Sequence, residues 1–143
     1  MPWVFVVTYL MGVGLEHVWP LALRIDWRHL TGVGDAVFVV GFALAGWGWL
    51  TFRAAGTTTV PGQTSSQMVT WGPYRFTRNP MYVGLSVAYL GEAGILHHVW
   101  PVLLLPLTLA YVSRVVIPLE EAKLTEAFGE QYESYCGRVR RWL

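Results

Sequence analysis

The chain has 143 residues, a formal net charge of +1 and a single cysteine, and it is 54% apolar or aromatic but only 13% charged, with eight tryptophans. Soluble domains carry about a quarter charged residues, so this composition places the chain among membrane proteins. The near-zero charge argues against nucleic acid as a partner, and the lone Cys136 excludes an internal disulfide and any spaced set of thiols for a metal.

Pro2 to Leu23 is apolar except for Glu16 and His17, and it lacks the basic flank and small-residue cleavage site of a secretory signal. It is expected to be a retained first span, since at about 1.5 Å per residue it covers the roughly 30 Å hydrocarbon core. RIDWRHLTG then brings charge and a glycine, and an uncharged run predicts a second span over 34–53, closed by Arg53. From 54 to 79 the chain turns to Gly, Thr, Pro, Ser and Gln, and with Pro61 and Pro73 it reads as one long loop. Pro80 suits the first turn of a helix. Spans over 80–97 and 99–117 follow as a tight hairpin about His97 and His98, a pair without further ligands at zinc-like spacing.

After Pro118, the residues Leu124, Phe128, Tyr132, Tyr135, Val139 and Trp142 recur every three or four positions. That spacing predicts an amphipathic helix over 119–142 lying along the membrane, its terminal arginines complementing the helix dipole or meeting lipid phosphates. The expected fold class is therefore all-α: one domain over 1–143, with about four transmembrane helices and a C-terminal interfacial helix. Arg24 and Arg28 lie between the first two spans, and the other basic residues flank the long loop or the tail, which puts loop and tail on the cytoplasmic face. Gly41, Ala45, Gly46 and Gly48 in the second span, and Gly84, Ala88 and Gly91 in the third, read as close-packing faces. Glu16 and Glu92 fall far from the cytoplasmic ends of their spans and read as snorkelling or helix-pairing residues.

Two segments carry candidate chemistry: TSSQMVTWGPYRFTRNPMYVG leading into the third span, and IPLEEAKL at the start of the tail. The helix start at Pro80 exposes backbone N–H groups that suit a carboxylate. Tyr74 and Tyr82 offer aromatic faces for an adenine or a cation. Of Glu120 and Glu121, one can serve the helix dipole and the other an ammonium, ribose or sulfonium group. Interface turns and helix capping explain the same residues without function.

GPYRFTRNPMYVG, followed about forty residues later by EEAKLTEAFGEQYESY, resembles the shared core of the isoprenylcysteine carboxyl methyltransferase and phospholipid methyltransferase superfamily. The resemblance runs from Thr57 to the C-terminus. It implies a small bacterial-type integral membrane methyltransferase of the cytoplasmic membrane that uses S-adenosyl-L-methionine on a lipid-like or prenylated acceptor. Carried over residue by residue, it implies cofactor binding by Gln67, Met68, Val69, Tyr74, Asn79, Pro80, Met81, Tyr82 and Glu120. Asn79 stands where the carboxyl methyltransferases have histidine, and Asn-Pro-Met-Tyr is similar to the phospholipid N-methyltransferases. Their substrate-binding arginine, four residues before the cofactor glutamate, is Val116 here; Arg114 is the substitute, although two positions on a helix point roughly 200° apart. Arg114 is thus the candidate to orient an anionic acceptor and Glu121 the candidate to take a proton from an amine, as catalytic residues. Two rival readings remain, an NADPH-dependent membrane reductase of the sterol reductase type and a non-enzymatic membrane scaffold. Binding of S-adenosylmethionine but not NADPH separates the three.

Overall fold

The computed structural model describes residues 3–21, 27–56 and 67–143, with the backbone alone for 27–30. Pro2, Leu23, Arg24 and residues 57–66 of the expected polar loop, with Pro61, lie outside the described residues, as does the Arg28 side chain. The described residues form helices and turns: α1 (Trp3–Val18), α2 (Trp27–Ala54), a 3-10 turn (Gly72–Arg75), α3 (Pro80–Leu96), α4 (Val99–Tyr111), a π-turn (Val112–Val116), α5 (Ile117–Phe128) and α6 (Glu130–Arg138).

Side-chain size brings α2 and α3 together. Going up α2, Gly34 faces the backbone of Gly91 and Ile95, Gly41 faces Gly84 and Ala88, and Gly48 faces Pro80 and Met81, so the two helices are antiparallel. A Cβ added at Gly41, Gly84 or Gly91 would collide with the partner's main chain. Such backbone-on-backbone approach is open only to the smallest residues, and it lets dispersion contacts hold helices that lipid would not drive together. Gly46, expected on this face, points into open space, while Gly34, which the sequence reading passed over, is on it.

The pairing of α1 with α4 is polar at one end. The Glu16 carboxylate accepts the N–H groups of Val99 (2.8 Å) and Trp100 (3.0 Å) at the open start of α4. A negative side chain is favoured there by the unsatisfied donors and the dipole alike. Glu16 is therefore the helix-pairing residue of the two alternatives. Further along, Gly12 lies against Pro101 and the Thr108 hydroxyl donates to Thr8 Oγ1 at 3.0 Å. The core is filled by Phe5, Tyr9, Tyr82, Tyr89, Ala93, Leu105, Val112, Val116 and Ile117.

Among the described residues, two helices are long and apolar enough to cross a membrane: Thr31–Ala54, with 24 residues, and Val99–Phe128, with 30. α1 is apolar but has only 16 residues, shorter than the expected 2–23, and α3 has 17. Outward-facing Val6, Leu10, Val39, Val40, Phe42, Leu103 and Leu107 stay exposed, a lateral apolar surface that fits a membrane.

The tail differs from expectation. The chain does not break at Pro118: α4 runs through the π-turn into α5 as one helix. Proline clashes with the carbonyl four residues back, and the widened turn just before Pro118 lets that carbonyl move aside. Nor is 119–142 a single helix. Gly129, at φ 49°, separates α5 from α6, and Val139 is extended, so residues beyond Arg138 leave the helix.

Candidate active site

The first turn of α3, the first turns of α5, and the segment after α6 converge on one end of the bundle. Tyr82 is buried in the core, its ring stacked on Phe5 at 6.2 Å, and its hydroxyl donates to Glu120 Oε1 at 2.8 Å. This bond joins residues 38 positions apart and brings the two sequence motifs together. Glu120 is half-buried, on the first turn of α5.

The turn before α3 is held from both sides. Gly72 adopts φ +62°, a conformation open to glycine, with Thr51 packed against its Cα. Tyr74 is 5% exposed, its ring 5.7 Å from Phe52 and its carbonyl accepting the Tyr135 hydroxyl at 2.7 Å. The Tyr74 hydroxyl points at the Gly48 carbonyl, at a long 3.5 Å. Tyr74 thus ties the turn to α2 and α6, with its face against Phe52. Burial pushes the phenols of Tyr74 and Tyr132 above their ordinary range. Burial also pushes Tyr135 up to about 12, against the opposing pull of Arg78, so it is a neutral donor at working pH.

Asn79 precedes α3 without capping it: its side-chain amide donates instead to the Arg141 carbonyl at 2.9 Å. The Asn79 side chain makes no cap bond to α3, whose first residue, Pro80, has no N–H. Met81 packs beside Gly48. Of the preceding residues, Gln67 is exposed, Met68 half-buried and Val69 buried.

Glu121, the neighbour of Glu120, has other partners. Arg141 grips it with Nε at 3.2 Å and Nη2 at 2.6 Å, and Arg78 adds Nη1 at 3.1 Å. Arg78 also reaches Cys136 Sγ at 2.7 Å. Adjacent helix positions point about 100° apart, which is how neighbouring carboxylates come to face different groups. Both carboxylate oxygens of Glu121 are thus engaged by guanidinium N–H groups, so neither is turned toward an incoming amine. Arg114 is exposed on the π-turn, whereas Val116 is buried in the core. The two occupy opposite sides, and Arg114 is not brought to the position of Val116.

Sequence reasoning gives Arg78 no role, and it places Arg141 at the helix dipole or lipid phosphates and the stretch after α6 in the tail helix. That stretch folds back as a strap: the Arg78 N–H donates to the Arg140 carbonyl at 2.9 Å and Thr77 Oγ1 to the Arg141 carbonyl at 3.2 Å. The sequence signal for Arg78 is its place directly before Asn79-Pro80 in the first motif. The backbone acceptors of the strap leave no trace in residue type.

The phospholipid methyltransferase family matches residues 28–131, well over half of the chain and the part that contains both Tyr82 and Glu120. The chain belongs to that family. Among curated proteins, the protein-S-isoprenylcysteine O-methyltransferase of Schizosaccharomyces pombe (strain 972 / ATCC 24843) is 38% identical to this family member over 72 residues. That match takes in 50% of this chain and 30% of the relative, so it spans less than a third of the relative's length. No solved structure matches the chain.

Proposed function

We propose that the chain is an S-adenosyl-L-methionine-dependent methyltransferase acting on a membrane-embedded, lipid-like acceptor, either a prenyl-cysteine-type carboxylate or a phospholipid-type amine. The observation that carries the reading is the Tyr82–Glu120 hydrogen bond, which joins the two motifs inside the region matched by the family. The residues there fit a zwitterionic cofactor. The N-terminus of α3, which the Asn79 side chain does not cap, suits a carboxylate, and Glu120 suits an ammonium or sulfonium.

When bound, S-adenosylmethionine supplies an electrophilic methyl group on a sulfonium for in-line displacement, so the protein's task is to align and to exclude water. Glu120 balances the positive charge, and Tyr82 holds its carboxylate in one orientation. Gln67, Met68 and Val69 line the approach, and Asn79, Pro80 and Met81 set the first turn of α3. Tyr74 fixes the turn from behind. Glu121 with Arg78 and Arg141 forms a latch for the strap, and exposed Arg114 meets an anionic headgroup outside the site. In the bilayer, α1 and α3 complete a four-span bundle with the two longer helices. The loop and tail then lie on the cytoplasmic face of a bacterial membrane, as the basic residues favour.

The test is transfer of label from methyl-labelled S-adenosylmethionine to N-acetyl-S-farnesylcysteine or to phosphatidylethanolamine, with products identified by mass spectrometry. A gain of one methyl group on either acceptor is expected. A folded protein that transfers none, or that oxidises NADPH instead, would overturn the reading.

A further inference from the structure

Away from the candidate active site, α1, α3 and the start of α4 bring together a second polar cluster. Tyr9 comes from α1, Tyr89 and Glu92 lie one turn apart on α3, and His98 precedes α4. The rings of Tyr9 and Tyr89 meet edge to face at 4.9 Å, and the Tyr9 ring lies 6.4 Å from that of His98. Glu92 is half-buried and acts electrostatically on both phenols. It follows Tyr82 by almost three turns of α3, roughly 15 Å, so the cluster is distinct from the Tyr82–Glu120 site.

The polar atoms of this cluster lack partners. Tyr9 is 8% exposed and Tyr89 4%, yet neither hydroxyl makes a hydrogen bond among the described residues, and nor does the buried Nδ1 of His98. Thr8 lies near the Tyr89 hydroxyl but outside hydrogen-bond geometry; its Oγ1 donates to the Val4 carbonyl at 2.8 Å and accepts from Thr108 at 3.0 Å. Glu92 makes no hydrogen bond or ion pair among the described residues, so it does not share the helix-pairing role of Glu16 there.

Buried polar groups in native proteins are almost all hydrogen-bonded, and a carboxylate within a membrane span is costly unless its charge is compensated. The chemistry that answers both demands is narrow. Glu92 and the two phenol oxygens are three acceptors, one of them anionic, and a neutral His98 offers a fourth. A primary ammonium carries three N–H donors, one positive charge and no acceptor, which matches that set. Water would serve the hydroxyls but leave the charge of Glu92 uncompensated. Calcium and magnesium need about six oxygens, more than the cluster holds.

We propose that Tyr9, Tyr89, Glu92 and His98 form a second binding site, one for a primary ammonium group. Glu92 sits roughly 6 Å inside the end of α3 and is partly exposed, so the ligand enters from the membrane interface at that end. Two sources supply an ammonium there, an aminophospholipid headgroup and a soluble amine. The proposal does not rest on the methyltransferase reading.

The test places the full chain in phosphatidylcholine nanodiscs, whose headgroups carry no N–H, and titrates it calorimetrically with methylammonium chloride. Sodium chloride and tetramethylammonium chloride are the comparisons. Saturable binding of methylammonium alone is expected, weakened by about tenfold or more in Glu92→Gln and by about threefold in Tyr9→Phe, as when a charged and a neutral hydrogen bond are lost. It is expected to persist in Glu120→Gln, which alters the carboxylate of the other site. Thermal melting reports folding of each variant, and Tyr9→Phe keeps the packed ring. Repeating the wild-type titration in nanodiscs that contain phosphatidylethanolamine separates the sources: methylammonium binding abolished there assigns the site to the lipid headgroup, and binding retained assigns it to a soluble amine. With folded protein, no saturable binding of methylammonium, equal binding of sodium or tetramethylammonium, wild-type affinity in Glu92→Gln and Tyr9→Phe, or binding lost in Glu120→Gln would overturn the proposal.

Discussion

Glu120 and Glu121 sit side by side in the sequence, yet one faces a phenol and the other two guanidiniums. The resemblance names Tyr82 and Glu120 in one set of residues, but the hydrogen bond between them is a finding of the structure. The fate of Glu121 was not legible: its partner Arg141 comes from a strap fixed by backbone carbonyls, which any residue supplies. Tyr135 was legible only as part of an apolar stripe, although its hydroxyl supports the turn through the Tyr74 carbonyl. Tyr135→Phe should cost about 1–3 kcal/mol, since it leaves that buried carbonyl unsatisfied, and denaturant titration in detergent checks this. The phenols of Tyr74, Tyr132 and Tyr135 titrate higher when folded than when unfolded, so the native state binds more protons above pH 10, the unfolded value. Stability should therefore be fully present below about pH 10 and fall as pH rises toward 12, the window opened by Tyr135. A thermal midpoint that does not fall across that window would contradict the assignment.

Among the elements, α3 was read almost to the residue, because Pro80 starts it and His97, in the left-handed region at φ 59°, ends it. The tail was not. A helical stripe predicts which residues are buried, and Tyr132 and Tyr135 are, but it does not register a chain reversal at Gly129 or a π-turn that absorbs Pro118. The glycines divide in the same way. Composition singled out small residues in α2, but which of them touch α3 depends on helix phase. Gly41→Ala should destabilise by about 1–3 kcal/mol, since its Cβ meets the Ala88 backbone. Gly46→Ala has open space and should stabilise by about 0.5–1 kcal/mol through reduced chain entropy. Thermal melting of the two variants in one detergent decides it; equal shifts would mean that the α2–α3 contact is not as described.

For the molecule as a whole, composition points to a membrane protein and the length of the apolar runs to helices; the described residues are helical, with an apolar flank that fits a membrane. Span number is less direct: two helices meet the length criterion, and the remaining two are short and packed against them. Functional convergence belongs to this scale as well. A start-of-helix turn in α3 and a glutamate on α5 come together because α4, the π-turn and α5 form a continuous rod that carries Glu120 back to Tyr82. The account therefore stands on whether those two residues hold one cofactor. Calorimetric titration of the purified protein with S-adenosylmethionine tests this most directly. Saturable binding by wild type is predicted, weakened by about tenfold or more in Glu120→Gln and Tyr82→Ala, as expected when a charged hydrogen-bonded contact is lost. Wild-type affinity retained in Glu120→Gln, or saturable binding of NADPH in place of S-adenosylmethionine, would contradict it.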